Sequence, residues 1–291
     1  ENFILCAIGV GNFHLLGQNF SSYMQIRGLK VPSVRGKNFN LCANRQGETH
    51  DSPEDHQAQL EILQALYREK QKNAKDGTAP RLVIAMEMFQ RPYQNILDQY
   101  IAGKITEEQF IEQSEYEERW GFAWEYYAPI LRFARTHQLP VLALNTPTEV
   151  TRKVARSGLE SLTAAERRYI PPFSEIRTDN AEYRQMIQTS YEQHDQGGHG
   201  NSSSFERFFT AQVLWDETMA EAIAQWLKAN PDDQVIVLAG QAHIVYGYGI
   251  PSRVARRLNN HQLVQRSVLF GVPQKEPSRA RKSIADYFWA H

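Results

Sequence analysis

The chain has 291 residues, 42% hydrophobic and 22% charged, with a formal net charge of −1 at pH 7. This size and composition predict a soluble globular protein with one large α/β domain and a smaller unit. A net charge near zero gives no indication of a nucleic-acid partner. Both cysteines, Cys6 and Cys42, precede residue 47. The remainder therefore excludes a thiol nucleophile and any cysteine-ligated zinc, iron–sulfur or c-type haem site.

Residues 1–46 differ in charge from the rest of the chain. Between Asn2 and Gly47 there are five basic residues and no acidic ones. The apolar run at residues 4–16 has about the length of a signal-peptide core and is too short to span a bilayer. We expect residues 1–46 to be a leader or an irregular N-terminal segment, or else a tail with some apolar content. The leader interpretation predicts an exported or membrane-anchored protein that associates with a membrane through this segment.

The next segments predict a mostly parallel sheet with helices on both faces. Residues 82–88, 140–145 and 235–238 are continuous apolar runs, which is the pattern of strands buried on both faces. Residues 47–51 are interpreted as a fourth strand, followed by a helix with Ser52 as N-cap and Pro53 as its first residue. Side chains at the carboxyl ends of parallel strands meet at one edge. The residues expected to converge there are Glu48, His50, Glu87, Asn145 and His243.

Residues 148–230 contain no convincing strand and read as a series of helices, the longest over residues 205–229. We therefore expect an all-helical insertion domain at 148–233, inside an α/β core formed by 47–147 and 234–291. Further strands are expected near 268–270, at an edge of the sheet, and at 285–289. The polar, glycine-rich residues 191–204 include His194 and His199 and predict either a flexible loop or a histidine-bearing lid.

The converging residues allow an enzyme. Glu48, His50, Glu87 and His243 could bind a divalent metal such as zinc or manganese, with His50, Glu87 and His243 as ligands, or could activate water. This gives a metal-dependent hydrolase as one hypothesis. The structural alternative places the histidines as hydrogen-bonded residues of turns and pairs Glu87 with an arginine, so whether the protein is an enzyme stays open at this point.

Several spaced motifs occur in the order found in a known family. The matching residues are 47–51 with His56 and Gln59, 85–89 with Gln94, Asn145 and Pro147, 211–212 with 215–216 and 219–220, and 240–243 with 246–253. On these residues the chain resembles the ChaN-like haem-binding, iron-regulated proteins, within the wider group of erythromycin-esterase-like and Tiki-like proteins. Members have an apolar strand before the Gly-Glu pair, whereas this chain has the poor strand NLCANRQ at 40–46.

The resemblance implies a protein of iron uptake or haem handling that holds a haem or related tetrapyrrole through a tyrosine, and it allows a homodimer with two stacked haems. Tyr246 and Tyr248 lie on a glycine-flanked turn, and phenolate oxygen suits ferric haem. Arg253, Arg256 and Arg257 could pair with haem propionates. With His199, the expected cofactor-binding residues are thus Tyr246, Tyr248 and Arg253. The alternatives are packed aromatic side chains and a solvated basic face.

Overall fold

The computed structural model describes residues 3–8, 25–26, 29–30, 50, 52–73, 81–195, 205–270 and 283–289. The strands are β1 Phe3–Ile8, β2 Gln25–Ile26, β3 Leu29–Lys30, β4 Leu82–Gln90, β5 Val141–Asn145, β6 Gln234–Leu238, β7 Val264–Phe270 and β8 Tyr287–Trp289. The α-helices are α1 Pro53–Asn73, α2 Gln94–Ile101, α3 Glu107–Gln113, α4 Tyr116–Arg119, α5 Trp124–Thr136, α6 Thr148–Ser157, α7 Ala164–Arg167, α8 Ala181–Asp195, α9 Phe205–Ala229 and α10 Ile250–Leu258. Short 3-10 turns occupy Arg91–Tyr93, Leu159–Ser161, Phe173–Glu175, Gln241–His243 and Val245–Gly247.

The main sheet has the strand order β5-β4-β6-β1-β7-β8, and every neighbouring pair in it is parallel. β2 and β3 form a separate antiparallel pair. This architecture confirms the parallel α/β class. The strand next to β6 is β1, with Ile4 opposite Val235. Residues 47–51 do not supply a described strand, because the only described residue among them, His50, lies in a turn.

β1 lies within residues 1–46, the part of the chain expected to be a leader or an irregular N-terminal segment. The segment expected to be a leader contributes Phe3–Ile8 to the sheet, where it pairs with β6 on one side and β7 on the other. The start of the apolar run at residues 4–16 is therefore part of a strand. Among the described residues, no helix is both long and apolar enough to cross a membrane.

Alternate residues of the strands point into two apolar cores, one on each face of the sheet. Ile84 and Met86 of β4 belong to the core covered by α1, α2, α3 and α5. Val83 and Ala85 belong to the core covered by the second half of α9 and by α10. Because both faces are covered, each strand reads as a continuous apolar run in the sequence. The predicted helices on both faces are confirmed.

The helical region after β5 has an apolar core of its own. Val150 of α6, Tyr183 of α8 and Phe209 of α9 are buried together in it. The longest helix, α9, begins and ends at the predicted residues and passes from this third core to the sheet, where Met219 and Ile223 are buried. It therefore joins the insertion to the sheet domain.

Side-chain hydrogen bonds explain the start of α1 and the covering of the β5 edge. Ser52 Oγ accepts the backbone N–H of Asp55 at 3.2 Å, so α1 begins at Pro53 as predicted. The open edge of β5 is covered by Gln94, whose amide donates to Val141 O at 2.8 Å and accepts from Ala143 N at 2.7 Å. β7, which was expected at an edge, lies between β1 and β8. Edge position depends on strand pairing, which the residues of a single strand do not reveal.

Candidate functional site

Three of the predicted polar residues meet at the carboxyl ends of β4 and β6. Glu87 lies near the end of β4, His243 follows β6 in a 3-10 turn, and His50 precedes α1. His243 Nε2 is 3.4 Å from Glu87 Oε1. Gly240 N donates to Glu87 Oε2 at 2.5 Å, and a Cβ at Gly240 would lie 3.3 Å from His50 Nε2. The structure thus brings His50, Glu87 and His243 together.

The other two residues predicted for this cluster are Asn145, which contacts only backbone there, and Glu48. Asn145 lies at the end of β5 and donates from Nδ2 to the backbone oxygen of Glu87 at 3.0 Å, so it supports the strand end rather than the carboxylate. Glu48 lies outside the described residues. His50 itself is positioned by His56, whose Nε2 is 3.0 Å from His50 O and whose Nδ1 is 3.1 Å from Gln59 Oε1.

A carboxylate from α9 completes the site. Asp216 is fully buried, and its Oδ1 accepts a hydrogen bond from His243 Nδ1 at 2.7 Å. Tyr183 Oη donates to the other carboxylate oxygen, and Gln212 lies one helical turn before Asp216 with its amide 3.3 Å from His243 Nδ1. In space, the His243 imidazole therefore lies between the carboxylates of Asp216 and Glu87, and we call these three side chains the row.

Asp216 and Gln212 were not predicted as site residues, although both were among the residues that carry the family resemblance. A signal was present, because residues 211–220 of α9 are otherwise mostly apolar, yet Gln212, Asp216, Glu217 and Thr218 are polar and buried. Buried polar groups in a helix require partners. The identity of those partners depends on how α9 lies against the sheet.

The row fixes the charges of its members. Burial alone raises the pKa of Glu87, but the charge and hydrogen bond of His243, with His50 and the Gly240 N–H, outweigh it and lower the pKa to about 2. Burial also lowers the pKa of His243, but Glu87 and Asp216 raise it well above its usual value. At neutral pH the site therefore contains an imidazolium held between two carboxylates.

Aromatic side chains form one wall beside this row. The His50 ring lies 4.9 Å from Trp120, edge to face, and 5.0 Å from Phe122, measured between ring centroids. Apolar walls keep water away from Glu87 and His243, which strengthens the attraction between their charges.

The described residues do not provide a metal site of the predicted kind. Within them no group of three or more histidine, cysteine, aspartate or glutamate side chains is arranged to hold a metal ion. The physical reason is that His243 directs Nε2 toward Glu87 and Nδ1 toward Asp216, so neither nitrogen is turned to a shared ligand position. The predicted ligand set of His50, Glu87 and His243 is brought together without forming such a group.

The two candidate tyrosines lie on the turn that follows His243, and we call residues 245–249 the tyrosine turn. Tyr246 has the left-handed backbone angles φ 55° and ψ 5°, and its N–H donates to Ile284 O at 2.8 Å. The rings of Tyr246 and Tyr248 are 5.5 Å apart, and both side chains are partly exposed. A Cβ at Gly249 would lie 2.2 Å from His243 O, so the turn passes close against the site.

Arg253 does not have the surroundings expected of a propionate partner. Its side chain is only 5% exposed, and Nε lies 3.2 Å from Oε1 of the buried Glu217. Nη1 donates to Tyr248 O at 2.5 Å and to Gly249 O at 3.1 Å. Arg256 and Arg257 also form ion pairs with Glu217. The structure therefore gives Arg253 an internal role, because a buried carboxylate on α9 draws the basic face of α10 inward.

The two remaining predicted histidines cannot be related to the site. His199 lies outside the described residues, and His194 is placed only as a backbone position in α8. Residues 191–195 of the segment expected to be a loop or a lid form the end of α8. Residues 196–204 lie outside the described residues, so both interpretations stay predictions for them.

This fold and site define a class: an α/β protein with a parallel sheet, a helical insertion, and a polar cluster at the carboxyl ends of the central strands. The family model described as "Haem-binding uptake, Tiki superfamily, ChaN" matches residues 46–254. The match covers more than half of the chain, and the chain belongs to this family.

Individual relatives are distant. The chain is 27% identical over 222 residues to the RETICULATA-RELATED 5 protein, chloroplastic, of Arabidopsis thaliana, covering 72% of this chain and 29% of that protein. The solved structure of ChaN of Campylobacter jejuni, described as showing cofacial haem binding, superposes with a TM-score of 0.58 at 18% identity, covering 82% of this chain and 83% of that one. This likeness shows the fold. An erythromycin esterase in its open conformation aligns with a TM-score of 0.40 at 14% identity, over 75% of this chain and 66% of that one.

Proposed function

We propose that this protein binds a haem-type tetrapyrrole and serves in haem handling or iron uptake. The observation that carries the proposal is the tyrosine turn, which lies inside the residues matched by the haem-binding family model. Its two phenol side chains are partly exposed beside the carboxyl end of the central strand β6. Ligands of parallel α/β proteins bind at this end of the sheet.

The residues of the turn fit a tetrapyrrole in their chemistry. Bound haem would supply a ferric iron, and the phenolate oxygen of a tyrosine is a hard anionic ligand for it. The left-handed backbone of Tyr246 costs about 1–2 kcal/mol for a residue with a Cβ. This cost is offset by surrounding contacts, including the Tyr246 N–H bond to Ile284 O. The turn therefore holds the Tyr246 side chain in a defined direction.

The propionates of the ligand need partners other than Arg253. Arg253 is already bonded to Glu217 and to two backbone oxygens, and withdrawing it would break all three contacts of a buried guanidinium. We therefore remove Arg253 from the proposed binding residues and keep Tyr246 and Tyr248. His199 stays a prediction.

Haemin titration of the whole chain tests the proposal. We expect a Soret band of bound haem that shifts or weakens in Tyr246→Phe or Tyr248→Phe, because phenylalanine removes only the oxygen ligand. Tyr67→Phe, which changes a half-buried tyrosine of α1, is the matched control and should leave the spectrum unchanged. Reduction with dithionite should weaken a phenolate-bound haem, since ferrous iron prefers softer ligands. If the chain does not bind haem at micromolar haemin, the proposed function is rejected. If all variants give equal spectra, tyrosine is rejected as the iron ligand.

A homodimer and membrane association are finer parts of the same proposal. The dimer predicts that haemin shifts the chain to twice its mass in size-exclusion chromatography with light scattering, and that Tyr246→Phe or Tyr248→Phe abolishes the shift. Export and membrane association rest on residues 1–46 alone and stay predictions, which cell fractionation checks. The metal-dependent hydrolase gains no support from the grouping of the described side chains and is not proposed.

A further inference from the structure

A cavity lies away from the tyrosine turn, between the ends of β4 and β5 and the helical insertion, and we call it the β4–β5 groove. Its volume is about 310 Å³. The side chains that give it an apolar and aromatic lining are Pro92, Tyr93, Pro147, Val150, Ala165 and Tyr169. Small-molecule sites have volumes of about 300–1,000 Å³ and prefer the carboxyl ends of parallel strands and the boundaries between domains. The groove meets these conditions at the lower end of the size range.

The wall of the groove on the sheet side is rigidly built. The guanidinium of Arg119 lies over the ring of Tyr93 at 4.9 Å. The same guanidinium pairs with Glu115 at 2.6 Å and with Glu149 at 2.9 Å, and it donates to Gln90 Oε1 at 3.1 Å. Because Arg119 has these four partners, the Tyr93 ring is held in place before any ligand arrives.

The wall on the insertion side is also fixed. Arg91 Nη1 donates to the backbone oxygen of Tyr169 at 3.3 Å and pairs with Glu221 of α9 at 2.7 Å. Arg91 Nη2 donates to Thr218 O at 2.6 Å. These bonds tie Tyr169 to α9, which also packs on the sheet. A groove with two fixed walls loses little conformational entropy when a ligand binds.

The charges around the groove leave one cation available. Arg119 is compensated by Glu115 and Glu149, and the carboxylate of Glu166 is engaged by Lys153 at 2.8 Å. Arg168 is exposed, with its guanidinium 4.5 Å from the Tyr169 ring centroid and Nη2 donating to the Tyr169 hydroxyl at 2.5 Å. It forms no ion pair with a carboxylate of the described chain. The guanidinium fork can therefore accept an anion in bidentate geometry.

We propose that the β4–β5 groove binds a small planar aromatic carboxylate. The ring lies against Tyr93, Tyr169 and the prolines, where offset stacking and apolar burial stabilise it. The carboxylate lies at the rim on the guanidinium of Arg168. An aromatic amine is repelled by Arg168, and a non-aromatic acid loses the stacking. This site is separate from the proposed tetrapyrrole site, because no residue of the tyrosine turn lines the groove.

Ligand-observed NMR with the full chain tests the proposal, using three probes of similar size: benzoate, benzylamine and cyclohexanecarboxylate. We expect benzoate to bind with a Kd of ~1 mM, as suits so small a ligand, and the other two to bind about fivefold more weakly or not at all. Arg168→Gln should weaken benzoate about fivefold, near the upper limit for an exposed charge pair. Tyr169→Leu should weaken it by a similar factor.

Arg156→Gln is the matched control, because Arg156 is an exposed arginine of the neighbouring helix α6 that does not line the groove. It should leave the benzoate Kd unchanged. The proposal is overturned if benzoate does not bind at 10 mM, if benzylamine binds as well as benzoate, or if Arg168→Gln and Arg156→Gln have equal effects. Because Arg168 is exposed, its replacement does not endanger folding.

Discussion

His243 and Asp216 are 27 positions apart in the chain, yet His243 Nδ1 donates to Asp216 Oδ1 at 2.7 Å. The histidine belongs to a turn after a strand, and the aspartate belongs to the middle of α9. The bond therefore links the carboxyl edge of the sheet to the helix that enters from the insertion. Since Asp216 is fully buried, the bond is protected from water and holds the imidazole in one orientation.

Removing the charge of Asp216 should destabilise the protein. Asp216→Asn leaves His243 and Arg253 facing a neutral amide in a buried position, and we expect a loss of about 3 kcal/mol in the free energy of unfolding. Urea denaturation at pH 7 measures it. Asp232→Asn, at an exposed aspartate, should change the same quantity by less than about 0.5 kcal/mol. Equal effects of the two substitutions would show that the buried pairing does not stabilise the fold.

Stability should fall on both sides of neutral pH because of the Glu87–His243 pair. The lowered pKa of Glu87, about 2 against a usual 4.5, means that its contribution is present above pH 4.5 and is lost as the pH falls toward 2. It amounts to roughly 3 kcal/mol. The raised pKa of His243 means that its contribution is complete below pH 6.5 and is lost as the pH rises through the folded-state pKa.

Urea midpoints measured across pH in Glu87→Gln check this expectation. The stability of the variant should fall less at acid pH than that of the wild type, by the contribution of Glu87. Its loss at alkaline pH should begin at lower pH, because His243 then has one carboxylate fewer to raise its pKa. Glu118→Gln, at an exposed carboxylate of α4, should keep the wild-type profile. If stability falls as much at acid pH in Glu87→Gln as in the wild type, the lowered pKa of Glu87 is contradicted.

The close approach of the tyrosine turn to His243 requires a glycine at position 249. A Cβ there would lie 2.2 Å from the backbone oxygen of His243, and a backbone atom cannot move aside as a flexible side chain can. We expect Gly249→Ala to lower the free energy of unfolding, measured by thermal denaturation, by at least about 2 kcal/mol. Gly121→Ala has positive φ but no atom within 4 Å of the added Cβ, so it should cost only about 1 kcal/mol. If both alanines cost the same, the contact at Gly249 is relieved.

Arg253 should act on stability and not on tetrapyrrole affinity. Arg253→Met removes a charged donor to the backbone oxygens of Tyr248 and Gly249 and one of the cations on Glu217, which should cost about 2–3 kcal/mol in the free energy of unfolding. Arg256→Met changes a more exposed partner of Glu217 and should cost less. Haemin affinity of folded Arg253→Met should equal that of the wild type. If Arg253→Met binds haemin much more weakly while its free energy of unfolding is unchanged, Arg253 is a ligand-binding residue after all.

The elements best predicted from sequence are those whose pattern is local. The strands β4, β5 and β6 were found because residues buried on both faces of a sheet form unbroken apolar runs. Ser52 and Pro53 gave the start of α1, because an N-cap satisfies backbone N–H groups only a few residues away. The end of α9 was also predicted from a local signal, because the residue before a proline disfavours helical backbone angles and Asn230–Pro231 directly follows the helix.

The features that were missed depend on long-range packing. The apolar run beginning at Ile4 has the length of a signal-peptide core, and only its pairing with β6 and β7 shows that it starts in a strand. The convergence of His50, Glu87 and His243 followed from the parallel sheet, but the row of charges also needed Asp216. The position of Asp216 within α9 does not reveal which part of the protein its side chain faces. Arg253 was expected to pair with a haem propionate, because its buried partner, Glu217, lies on another helix and the sequence does not reveal their contact.

The continuity of α9 has a mechanical consequence. Its 25 residues form one helix about 37 Å long that is anchored at its beginning in the core of the insertion and at its end under the sheet. An unbroken helix resists bending, so a swing of the insertion away from the sheet would have to distort α9 near Asp216. We therefore expect the helical region and the sheet to move together, so that a ligand enters beside His243 without a hinge motion between them.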